Sequence, residues 1–128
     1  MAVIPTAKAL YLCEEVDTEG GQTNLYALFN TTHAAAFPHT RESFCVFAQL
    51  NGGLGEVPVH YDIVRARDER VIDVSTTHRL RFERRSQLLQ LSMTFRGVIF
   101  EEPGIYFVQL FCNNILVADV TLELREAQ

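Results

Sequence analysis

From Ile115 to Leu124 the chain alternates strictly. Leu116, Ala118, Val120, Leu122 and Leu124 fall on one side, with Asp119, Thr121 and Glu123 on the other. A period of two is the signature of a β-strand with one face in a core. Asn113-Asn114 precedes it, a pair that tolerates positive φ and suits a two-residue hairpin turn. Before the turn, Ile105–Cys112 is apolar except for Gln109. Glu102-Pro103-Gly104 ends whatever comes earlier, because proline fixes φ and glycine accepts turn geometry. The stretch 104–124 therefore predicts a β-hairpin. Its first strand is apolar on both sides. Tyr106, Val108, Leu110 and Cys112 share one face, and Ile105, Phe107 and Phe111 share the other.

The remaining segments read in the same way. Ala7–Val16 is a strand, closed by the turn Asp17-Thr18-Glu19-Gly20-Gly21. Thr23–Thr32 is a second strand, and the segment 33–41, broken by Pro38, is a connection. Ser43–Asn51 is a third strand, apolar enough to be covered on both faces. Gly52-Gly53-Leu54-Gly55 is a hairpin loop and not a phosphate cradle, because the alternating strand Val57–Ile63 follows it where a cradle needs a helix. Pro58 places that strand at an edge or a bulge. Short strands follow at 71–75 and around Leu80–Glu83, and Gln87–Phe100 alternates again. No segment carries a convincing helical period. The expected fold class is all-β: an antiparallel sandwich of about eight or nine strands. A length of 128 residues, 48% of them hydrophobic, fits a single domain spanning 1–128 with its own core.

The motif Glu102-Pro103-Gly104-Ile105-Tyr106 resembles the entry to the penultimate strand of immunoglobulin-like sandwiches, where a tyrosine hydroxyl bonds back to the backbone of the preceding corner. The match departs from true immunoglobulins. Val108 stands where a cysteine would, and the chain has no tryptophan. The segments 9–16 (ALYLCEEV), 44–57 (FCVFAQLNGGLGEV) and 101–114 (EEPGIYFVQLFCNN) also resemble an uncharacterised family of small bacterial β-proteins. That resemblance implies an immunoglobulin-like β-sandwich and no assigned activity.

A net charge of −5 argues against general nucleic-acid or anionic-membrane binding. No run is long and apolar enough for a transmembrane helix. The first residues lack the pattern of a secretory leader. Cys13, Cys45 and Cys112 are an odd number, far apart in apolar runs. They read as buried free thiols of a reducing, cytoplasmic compartment. These cysteines and His33, His39, His60 and His78 show no zinc-knuckle spacing, so neither a metal nor a cofactor is expected. Cys13, followed by Glu14 and Glu15, is expected to be the most exposed thiol, with those acids raising its pKa. Glu14, Glu15, Asp17 and Glu19 read as a solvated turn. Glu101 and Glu102 point to opposite faces and cannot serve one bond.

No catalytic motif is present. The leading reading is a non-enzymatic interaction or assembly module. It would associate, as a homodimer or with a protein partner, through an apolar sheet face built by the third and the last two strands. The expected interface residues are Phe47, Gln49, Ile105, Phe107, Gln109, Phe111 and Val117, with Phe47 beside Phe107. Either segment 33–41 or another chain must cover that face. The alternative is a small-ligand binder or minor enzyme with a pocket between the sheets near Tyr61, His60 or His78. A third reading uses arginine: ten of the eleven basic residues are arginine, and seven lie in 65–85. Arg79, Arg81, Arg84 and Arg85 would there contact an anionic partner. Interleaved acids make a salt-bridged edge the plainer account.

Overall fold

Asn113 and Asn114 both take left-handed backbone, with φ of 52° and 63°. This is the turn that the asparagine pair requires, and it joins β9 (Gly104–Cys112) to β10 (Ile115–Glu126). The computed structural model describes residues 2–128. Its other strands are β1 (Thr6–Glu19), β2 (Gln22–Leu28), β3 (Thr31–Ala34), β4 (His39–Asn51), β5 (Gly55–Arg65), β6 (Arg70–Val74), β7 (His78–Phe82) and β8 (Leu89–Phe100). One sheet runs β2-β1-β4-β8. The other runs β3-β10-β9-β5-β6, with β7 also paired to β5. All pairings are antiparallel except β3 with β10. β3 straddles the boundary between the expected strand Thr23–Thr32 and the expected connection 33–41. Four residues paired to a strand ninety positions later leave no local period to read.

The core lies between the two sheets. Phe44, Val46, Ala48 and Leu50 of β4 face Val57, Val59, Tyr61 and Ile63 of β5 and Tyr106, Val108 and Leu110 of β9, all fully buried. Phe44 stacks on Phe95 at 5.5 Å and meets Phe29 edge-on at 5.9 Å. Tyr106 delivers the expected corner. Its hydroxyl donates to the Glu102 carbonyl over 2.7 Å, and its ring meets Phe100 edge-on at 4.9 Å. The fold is an immunoglobulin-like β-sandwich.

An ion-pair network braces the same corner. Arg65 ends β5 with its guanidinium nearly buried, so it needs close counter-charges. Asp68 accepts from both its Nε and its Nη2, at 3.0 and 2.7 Å. Glu102 stands 3.6 Å away and also takes Arg67 at 2.7 Å. The hydrogen bond from Arg65 is the main reason the Asp68 carboxyl sits well below the usual carboxylate range.

The four-stranded sheet is not flat. β2 and β8 are its opposite edges, yet the Thr23 hydroxyl of β2 lies 2.6 Å from Gln90 Oε1 of β8. The β1–β2 hairpin therefore arches back over the outer side of the sheet. Phe47 faces that side and is only 4% exposed. β4 is thus covered on both faces, as its apolar run implied.

Two outcomes test this scheme. Tyr106→Phe removes one partly buried hydrogen bond and should cost about 1–2 kcal/mol in urea unfolding. Asp68 contributes stability above its unfolded pKa that is lost as pH falls through its depressed folded value. Wild type should therefore lose stability more steeply than Asp68→Asn between roughly pH 5 and pH 2, followed by thermal unfolding across a pH series.

Candidate functional site

β9 is central in its sheet, so its outward residues have neighbours on both sides. The ladders put His60 and Leu116 opposite Phe111, Asp62 and Asp119 opposite Gln109, and Val64 and Thr121 opposite Phe107. Three rows of three side chains thus cross β5, β9 and β10 on one outer face. An aromatic ring occupies the centre of the two outer rows, and an amide flanked by two carboxylates forms the middle one. Val71 of β6, with Ala66 and Glu69 of the preceding turn, raises a wall on the β5 side. These three line a depression of about 390 Å³ together with Asp62, Val64, Phe107, Gln109, Phe111 and Asp119.

The electrostatics are those of an acceptor surface. Asp62 and Asp119 stand two strand spacings apart, about 10 Å. Asp62 Oδ1 is buried and makes no aligned hydrogen bond; its nearest partner, His60 Nε2, is 3.3 Å away. The His60 ring instead lies flat on Phe111, 5.0 Å between centroids and 5° from parallel. Phe107, Gln109 and Phe111 are half-buried. Segment 33–41 does not cover them. Its first part pairs with the far edge of β10, and Phe37 packs against the core.

Several expected neighbours are elsewhere. Phe47 and Gln49 lie on the other sheet, because β4 pairs with β1 and β8 and not with β9. β4 turns Val46, Ala48 and Leu50 into the core and Phe47 away from it, beside β1 and β8. Val117 is also displaced. A bulge between Leu116 and Ala118 reverses the alternation, so Val117 packs against the core while Leu116 points out, 48% exposed. The same bulge sets Asp119 opposite Gln109, where counting back from the turn would put Ala118. Ile105, 39% exposed and paired with Glu123, forms the rim. Asp62, Val64 and Asp119 carry no local signal for this face, and His60 was expected in a pocket between the sheets, since their places depend on strand order and on this bulge.

Tyr61, His60 and His78 do not converge. Tyr61 is fully buried in the core, His60 faces outward, and His78 sits on β7 opposite Val59. On the arginine strip, Arg79 pairs with Glu56 and Arg81 with Glu83, each at 3.2 Å, and Arg85 donates to the Gly52 carbonyl at 2.7 Å. Arg84 lies exposed between them. Among the described residues no group of three or more histidines, cysteines or acids is placed to hold a metal, and no helix is long and apolar enough to cross a membrane.

The model of a family of unknown function, DUF6941, matches residues 8–125. The chain belongs to this family. No curated protein matches the sequence. Among solved structures, the β-glucosidase of Listeria innocua in complex with glucose is 11% identical, with a TM-score of 0.52 over 91% of this chain and 16% of that one. The Pseudomonas fluorescens alkylpurine DNA glycosylase bound to abasic-site DNA is 11% identical, with a TM-score of 0.49 over 91% of this chain and 30% of that one. An immunoglobulin-like protein from Pseudomonas aeruginosa is 14% identical, with a TM-score of 0.43 over 98% of this chain and 97% of that one. The chain thus spans under a third of the two enzymes, and the glucosidase likeness concerns the fold alone.

Proposed function

We infer that this DUF6941 chain is a non-enzymatic interaction module whose outer β5-β9-β10 face docks a basic segment of a protein partner. The supporting observation is the middle row, Asp62-Gln109-Asp119, set between the rings of Phe107 and Phe111. Carboxylates beside aromatic faces suit an arginine, whose guanidinium forks onto carboxylates and stacks on rings. Self-association is the weaker form of this reading. An isologous dimer across the face would bring the acidic rows of both copies together, and like charges in a desolvated centre cost several kcal/mol. A net charge of −5 points the same way.

A peptide of alternating arginine and glycine, titrated into labelled protein, should move the NMR signals of Gln109 and Phe107. Asp62→Asn with Asp119→Asn should weaken binding about tenfold, or ~1.4 kcal/mol, at fixed ionic strength. Asp17→Asn with Glu19→Gln, which removes equal charge elsewhere, should leave it unchanged. Equal losses in both double variants would reduce the effect to net charge. Light scattering that shows a dimer dissolved by Phe107→Asp would overturn the basic-partner reading in favour of self-association.

A further inference from the structure

Cys13 and Cys45 are thirty-two residues apart in sequence and directly opposite in the β1–β4 ladder. Antiparallel partners project to the same face, and their Cα atoms lie about 4.5–5.5 Å apart, inside the window that a disulfide bridges. Both thiols are free in this structure. Their exposure reverses the sequence expectation. Cys13 is fully buried, while Cys45 is partly open. The Cys45 sulfur has polar company, the Glu14 carbonyl at 3.8 Å and the Thr94 hydroxyl at 3.5 Å. Burial pushes the Cys13 thiol up, with Cys45 the second cause and Glu14 a smaller one. Cys45 is therefore the sulfur that a solvent-borne reagent meets first. Cys112, opening onto the core and pushed up to about 11 by burial, is out of reach of both.

We propose that Cys13 and Cys45 are an oxidation site, closing a reversible intrachain disulfide when Cys45 meets a peroxide. With hydrogen peroxide, the Cys45 sulfur attacks one oxygen. The O–O bond breaks, an S–O bond forms, and the departing hydroxide takes up the thiol proton as water. Cys13 then attacks the sulfenic sulfur of Cys45. The S–S bond forms, the S–O bond breaks, and the hydroxyl leaves as water with the Cys13 proton. Two electrons pass from the two thiols to one peroxide. The position gives the bond a mechanical effect. Cys13 pairs with Cys45 of β4 and also with Leu28 of β2, at the point where β1 leaves β4 to build the hairpin. The disulfide would staple the root of that hairpin to the sheet.

The test treats the full chain with hydrogen peroxide, alkylates the remaining thiols after unfolding, and maps peptides without reduction. The expected product is a Cys13–Cys45 cross-linked peptide, with Cys112 alkylated and dithiothreitol restoring both thiols. Cys45→Ser should abolish the cross-link and Cys112→Ser should retain it. The thermal midpoint of the oxidised wild type should rise by roughly 5–10 °C. Recovery of Cys45 as a sulfinic acid with Cys13 free, a Cys45–Cys45 link between molecules, a link to Cys112, or three unreacted thiols under excess peroxide would each overturn the proposal.

Discussion

The hydroxyl of Tyr106, donating to the carbonyl of Glu102, fixes where β9 begins. Everything on the larger sheet follows from that point. β9 is central, so its register sets those of β5 and β10 together. A slip of one residue would turn Tyr106, Val108, Leu110 and Cys112 out of the core and bring Phe107 and Phe111 in. Two neighbouring features pin the register further. Gly104 supplies a φ of 136° just before the tyrosine, and the bidentate Arg65–Asp68 pair holds the end of β5 opposite it. Breaking that ion pair on one side would strand a nearly buried guanidinium, which is why its cost exceeds that of an ordinary surface bridge.

With the register fixed, a single strand does two jobs. The inner residues of β9 close the hydrophobic core, and its outer ones arrange rings and an amide at the middle of an exposed face. The second face of β9 is no accident of a generally apolar strand. Its neighbours on both sides put carboxylates, and not further apolar groups, beside Gln109. On the other sheet the outward-facing aromatic, Phe47, is buried, on the side where Thr23 of β2 reaches Gln90 of β8.

Local chemistry made much of this legible in the sequence. The Asn113-Asn114 turn, the two-sided character of β4 and β9 and the tyrosine corner each depend on residues within a few positions of one another. What escaped depends on distant partners. Nothing near Phe47 says that β4 chooses β1 and β8. The bulge at Leu116–Ala118 inverts an alternation that looks unbroken, because hydrophobic residues occupy both sides of it. Cys13 and Cys45 sit in unremarkable apolar runs, and only the ladder reveals them as a pair. The acids of the candidate face were visible as residues, yet their convergence on Gln109 needed both strand order and the bulge.

The parallel pairing of β3 with β10 sets the order of events in folding. Thr31 meets Glu123, and the contact continues through the Ala127 amide to the Ala34 carbonyl at 2.8 Å. On the ribosome, β3 emerges long before its partner and must wait with an unsatisfied edge while some ninety residues are added. The β2-β1-β4 part of one sheet has all its strands early, whereas the β3 edge of the other waits for β10. The β3–β10 pairing is a long-range contact, of the kind whose loop entropy slows the folding of small β-proteins. Until β10 is made, the unpaired edge of β3 is open to wrong pairing.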